Sequence, residues 1–175
     1  MALETGEMEH VEKAADAMAR VDDMRTDLVS TLRTGEIVSE TRTVDIESAM
    51  EDVWTAVDPP ESASFDVVKA PDIDADPNAF QRMLENLVGN SIEHGTGDVN
   101  VRVGEYDAGL YYEDDGPGID PERRGKVFTP GFSTKKGEEG IGMGMASVRQ
   151  IVLAHEWEIR IEDAETLDGV RFEIR

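Results

Sequence analysis

Cysteine is absent from the 175-residue chain, which excludes a disulfide framework and a thiolate metal site. No run approaches the roughly 18 consecutive apolar residues of a membrane-spanning helix, so no membrane contact is expected. The N-terminus carries no charged-then-apolar leader, so nothing speaks for secretion and the cytoplasm is the expected compartment. Basic residues are scarce: 17 Lys and Arg, only five of them Lys, stand against 39 Asp and Glu, for a formal net charge of −22 at pH 7. Such a surface repels phosphate backbones, so nucleic acid is excluded as a partner. The acids are spread along the chain and not gathered in one tail. That pattern goes beyond solubility and predicts adaptation to very high salt, where ions screen self-repulsion, with a halophilic archaeon as the source. Hydrophobic residues still make up 39 %, enough for a core, and the length suits one domain with a short appendage.

Residues 8 to 33 predict a helix, with Val11, Ala14, Met18, Val21, Leu28 and Leu32 close to a seven-residue repeat broken at Arg25. Periodicity leaves two uses open, an amphipathic helix packed on its own domain or one strand of a dimerising bundle. Gly35 supplies a stop, which sets a first segment at 1–38 and a domain at 39–175. Thr41 to Ile46 alternates like a strand, Ile46 to Val57 reads as a helix ended by Pro59-Pro60, and Ser64 to Val68 is a second strand. Asp76-Pro77 has the cap-and-proline form of a helix start, and Phe80, Met83, Leu84, Leu87, Val88 and Ile92 follow at helical spacing to Gly95. Val99 to Val103 and Leu110 to Tyr112 form a hairpin, with Glu113 to Ile119 as a loop. Asp120-Pro121 starts a short helix, Gly140 to Gly144 opens another, and 157–161 and 170–174 are strands. The last two strands have no helix between them, which predicts an α+β sandwich and not a doubly wound sheet.

Three constellations carry chemistry. Asn86 and Asn90 lie one turn apart at the edge of an apolar helix stripe, where a carboxamide can face a pocket. A carboxamide oxygen is a hard, neutral ligand suited to Mg²⁺ that keeps most of its bonds to phosphate and water. Asp114-Asp115-Gly116-Pro117-Gly118 follows a strand. Its glycines allow close approach of a flat ligand, and a fixed carboxylate accepts a hydrogen bond from an exocyclic amine. Gly140-Ile141-Gly142-Met143-Gly144 precedes an amphipathic helix, where free N–H groups suit a polyphosphate. It lacks the Lys-Ser/Thr of a Walker loop. Upstream, Phe132-Ser133-Thr134-Lys135-Lys136-Gly137 sets two cations in a glycine-bounded segment, read equally as a solvated loop or as phosphate neutralisation.

Taken in order, these motifs resemble the N box, the two glycine boxes and the intervening phenylalanine box of histidine kinase ATP-binding domains, in the superfamily shared with gyrase, Hsp90 and MutL. The resemblance covers about residues 41–175. It implies a Bergerat-type α/β sandwich, with a mixed sheet under a helical layer and ATP and Mg²⁺ beneath a mobile lid. It further implies that Asn90 ligates Mg²⁺, that Asn86 supports the phosphates, and that Asp114 holds the adenine amine beside Gly116 and Gly118. Phe128 and Phe132 match the phenylalanine box, and Gly140, Gly142 and Gly144 the phosphate turn. Thr134 and Lys135 match the Ser/Thr-Thr-Lys lid of short-lid kinases, which makes Lys135 and Asn86 the candidate catalytic pair.

In the gyrase-like branch a glutamate four residues before the metal asparagine activates water. Here that position is Asn86, and Glu85 is rotated about 100° away. The nucleophile is then an imidazole supplied from elsewhere, in line with the γ-phosphate. The helix over 8–33 is similar to the second helix of the family's dimerisation hairpin, which implies a homodimer and a response regulator receiver domain as partners. Three departures stand out. Glu93 occupies a site where the family has Lys, Glu156 follows His155 where the family has Gly, and the phosphoacceptor box is missing. His10, His94 and His155 all lack its neighbours. The expectation is a catalytic fragment of a longer sensor. A non-catalytic nucleotide-binding adaptor and an anti-sigma-type serine kinase are the rivals, the latter disfavoured by Asn86.

Overall fold

The computed structural model describes residues 37–95, 98–107, 109–133 and 142–175, all within the unit Ile37–Arg175. The helix expected over 8–33, His10, and the site candidates Thr134, Lys135 and Gly140 lie outside the described residues.

Local chemistry starts each helix. Asp45 accepts from the Ser48 N–H at 2.7 Å and so caps α1, Ile46–Val57, which buries Ile46, Met50 and Val53. Asp58 ends it in the left-handed region at φ 49°, with its N–H returned to Trp54 O. Asp76 accepts at 3.0 Å from both Asn78 and Ala79 and caps α2, Pro77–His94. Asp120 caps the single turn α3, Pro121–Arg124. By contrast, α4, Gly144–Ala154, begins with no side-chain cap, which leaves N–H groups at its start for another partner.

Seven strands are present among the described residues: β1 (Arg42–Val44), β2 (Ser64–Val68), β3 (Ile73–Ala75), β4 (Asn100–Tyr106), β5 (Gly109–Asp114), β6 (Ile159–Asp163) and β7 (Val170–Ile174). The main sheet runs β2-β4-β5-β7-β6, parallel only between β2 and β4 and antiparallel elsewhere. The parallel pair requires a crossover, and α2 supplies it. One face of the sheet is covered by α2, flanked by α1 and α4, and Phe80, Met83, Leu84, Leu87, Leu110, Phe172 and Ile174 are buried there. This is the expected α/β sandwich.

Four expectations required correction. The strand β3 was not foreseen; it is three residues long and holds only by pairing with β1 in a separate two-stranded sheet. The strand β4 continues to Tyr106, and β6 sits two residues later than predicted. Most important for the site, the segment read as a loop from Glu113 is still strand through Asp114. Pairing of Asp114 with Val101 and of Glu113 with Arg171 keeps both residues extended.

That extension sends successive side chains to opposite faces. Tyr112 and Asp114 face α2, while Tyr111 and Glu113 face away. There the wholly buried Glu113 carboxylate pairs with Arg171 at 3.3 Å, and the guanidinium also binds Glu173 at 3.2 Å and lies 3.9 Å above the Tyr111 ring.

Candidate functional site

Asp114 is 5 % exposed, yet its carboxylate is well partnered. Oδ1 accepts from the N–H groups of Gly116 at 3.0 Å and Val170 at 3.3 Å. Oδ2 accepts from Ser91 Oγ at 2.5 Å, and the Tyr112 hydroxyl lies 2.9 Å from that same Ser91 oxygen. Burial pushes the Tyr112 hydroxyl well above its ordinary value, with the Ser91 bond acting the other way, so the phenol stays protonated. Oδ1 is thus doubly engaged, whereas Oδ2 carries one bond and keeps acceptor capacity for an exocyclic amine. Gly118 adopts φ +69°, a region that favours glycine, and a β-carbon on Gly116 would lie 3.1 Å from Asp114 Oδ1.

On α2, the Asn86 amide is oriented by donating from Nδ2 to Arg82 O at 2.8 Å. Asn90 differs: its Nδ2 is buried and has no hydrogen-bond partner. A carboxamide can turn over without changing shape, so an unsatisfied Asn90 is chemically ready to offer its oxygen to a cation. Among the described residues, no group of three or more His, Asp or Glu could hold a metal ion. A Mg²⁺ held here would therefore lean on phosphate, water and the neutral Asn90 amide, which fits its preference for few protein ligands. The Glu85 Oε1 accepts from Gln81 Nε2 at 2.9 Å, and Glu93 is exposed.

The glycine segment closes against these asparagines. A β-carbon at Gly144 would lie 3.0 Å from Asn86 Oδ1 and 3.7 Å from Asn90 Nδ2. Gly142 has φ +66°, and a β-carbon on it would fall 2.5 Å from Phe132 O. The Gly131 N–H donates to Gly142 O at 3.0 Å, which joins the phenylalanine segment to the glycine segment. Phe132 and Phe128 are half-buried against the core, the latter 5.8 Å beneath the Arg149 guanidinium. The uncapped start of α4 thus faces the two asparagines, an arrangement that suits an anionic ligand.

Asn86, Asn90, Gly142 and Gly144 therefore meet at one end of the site, and Asp114, Gly116 and Gly118 form the other. Sequence reasoning overlooked Ser91, Tyr112 and Gly169. The Gly169 N–H donates to Asp114 O at 3.0 Å, and a β-carbon on Gly169 would lie 2.5 Å from that oxygen. A signal did exist for Tyr112, which shares a strand face with Asp114 by the period of two.

Residues 75–175 match the family described as "Histidine kinase-, DNA gyrase B-, and HSP90-like ATPase". "Sensor histidine kinase CpxA" of Escherichia coli (strain K12) is 28 % identical over 97 % of the chain. "Signal transduction histidine-protein kinase/phosphatase MprB" of Mycolicibacterium vanbaalenii is 32 % identical over 90 % of it. The chain spans 40 % and 35 % of the length of those two relatives. A solved "Mycobacterial sensor histidine kinase MprB" superposes with a TM-score of 0.65 at 26 % identity, over 77 % of this chain and 95 % of that one.

Proposed function

The chain belongs to the histidine kinase-, DNA gyrase B- and HSP90-like ATPase family, as the ATP-binding catalytic domain of a two-component histidine kinase, and from that premise we propose that it transfers the γ-phosphoryl group of Mg-ATP to a histidine supplied by a dimerisation hairpin. The observation that carries the reading is the close approach of Gly144 to Asn86 and Asn90, which sets an uncapped helix start against two neutral amides. Adenine binds at Asp114 between Gly116 and Gly118, with its amine on Oδ2. The phosphates run to Gly142 and Gly144, with Asn86 beside them; Asn90 would hold a Mg²⁺, which would supply charge neutralisation. The family resemblance assigns Thr134, Lys135 and Gly140 to phosphate binding as well. With Asn86 where a water-activating glutamate would stand, the imidazole nitrogen attacks the γ-phosphorus and ADP leaves with the bridging oxygen.

Segment 1–38 is proposed as half of the hairpin and its linker, in a homodimeric, cytoplasmic signalling protein that passes phosphate to a receiver domain. Among the described residues no helix is long and apolar enough to cross a membrane. The net charge of −22 supports a halophilic source. The test is incubation with γ-labelled ATP, alone and with a chain that supplies an acceptor hairpin. Acid-labile label on the added hairpin only is the expected result. ATP binding without any transfer would favour the adaptor, and acid-stable label the serine kinase.

A further inference from the structure

His155 lacks the neighbours of a phosphoacceptor, and its surroundings give it a different use. It stands at the C-terminal end of α4, 79 residues from Asp76, the cap of α2. The Asp76 N–H donates to His155 Nε2 at 3.0 Å, and His155 Nδ1 lies 2.8 Å from Ile151 O. These partners fix the tautomer: Nδ1 carries the proton and donates it, and Nε2 accepts. The imidazole stacks on Trp157, centroids 4.2 Å apart and planes at 21°, and Trp157 meets Phe80 of α2 edge-on at 6.3 Å. The Asp76 carboxylate is occupied elsewhere, with Oδ1 on Asn78 and Ala79 and Oδ2 on Ser39. Only the backbone N–H of Asp76 is left to meet the ring.

The two helices run in opposite directions, because the start of α2 meets the end of α4 while the start of α4 meets the middle of α2. From Asp76 to Asn86 is ten residues, and from Gly144 to His155 eleven. At 1.5 Å per residue the spans are about 15 and about 16.5 Å. A fastening at one end therefore sets the axial position at the other. The fit at the far end is close, with the β-position of Gly144 only 3.0 Å from Asn86 Oδ1, so little sliding is tolerated.

We infer that His155 is a positioning residue: its Nε2 bond to the Asp76 N–H sets the register of α4 against α2 and so holds the phosphate turn at Gly142–Gly144 opposite Asn86 and Asn90. The adenine end, built on β5, β7 and Ser91, does not depend on that register. This inference rests on the functional reading above, and the two are separable by experiment.

Two variants of the 175-residue chain separate the bond from the stacking. H155F keeps a ring on Trp157 and loses the acceptor; H155Q keeps an acceptor and loses the ring. Dissociation constants for Mg-ATP and for AMP are measured by NMR titration, with folding checked by circular dichroism. H155F should weaken Mg-ATP binding about tenfold, the effect of one lost hydrogen bond, and leave AMP within about twofold. H155Q should bind Mg-ATP nearly as the wild type does. Equal losses for both ligands in H155F, or no loss, would overturn the inference while leaving the functional reading intact. A wild-type chain that bound no Mg-ATP would remove both. If H155F does not fold, H155L, which also lacks an acceptor, replaces it: a selective loss of Mg-ATP affinity that H155Q does not show supports the bond, and wild-type affinity in H155L overturns the idea.

Discussion

Gly169 closes over Asp114 so tightly that a β-carbon at position 169 would lie 2.5 Å from both the Asp114 carbonyl and its Oδ1, and 2.6 Å from the Gly116 N. The backbone of the β6–β7 connection is thus the back wall of the proposed adenine end. Gly169→Ala should displace the carboxylate, weaken ATP and ADP alike by tenfold or more, and destabilise the fold by about 1–3 kcal/mol, as overpacking does. Calorimetric titration and urea unfolding measure the two effects. An alanine variant that binds like the wild type would mean that Asp114 does not hold the base.

Asn90→Ala tests the metal. It should weaken Mg-ATP by roughly 10–100-fold, a lost contact to a charged group, and leave metal-free ADP nearly unchanged. Asp114→Ala should weaken both, because adenine is common to them. Equal losses for Asn90→Ala in the two titrations would contradict its assignment.

Acid should act through Asp76. Burial pushes this carboxyl up, but bonds from Ser39, Ala79 and Glu40 outweigh it and hold the group well below the usual carboxylate range. A group lowered on folding contributes stability that is complete above its unfolded value, about 3.9, and is lost as pH falls below it. The stability difference between the wild type and Asp76→Asn should therefore be constant near neutrality and shrink below about pH 4. Guanidinium unfolding from pH 3 to 7 reads this directly, and a difference that grows with acid would be the wrong sign.

Glu156 occupies a left-handed conformation at φ 61° directly after α4, where its N–H binds Leu153 O at 3.1 Å and the Trp157 N–H binds Val152 O at 2.9 Å. That is the helix-ending pattern in which glycine is favoured. Glu156→Gly removes about 1–2 kcal/mol of β-carbon strain and gives back part of it to unfolded-state entropy. A net gain of about 0.5–1 kcal/mol in chemical denaturation is expected, and a loss would show that the side chain has a favourable contact.

Molar KCl should raise the melting temperature substantially by screening a net charge of −22. Scanning calorimetry across a KCl series checks this. A flat or falling curve would assign the acidity another purpose, such as attraction of a basic partner.

Whatever closes within a few residues is legible in the order of the amino acids alone. Asp45, Asp76 and Asp120 cap helices because their carboxylates reach N–H groups two or three positions ahead, and helical spacing alone put Asn86 and Asn90 on one line. Tertiary structure decided the rest. Whether Asp114 belonged to a loop or a strand depended on its pairing with Val101, and the partners of its carboxylate stand at Ser91 and Val170. The seat of His155 on Asp76 spans 79 residues, and that of Gly169 on Asp114 depends on how β7 registers against β5. Local pattern encodes bonds that close within a turn, whereas these contacts exist only once sheet register and helix packing have brought distant backbone together.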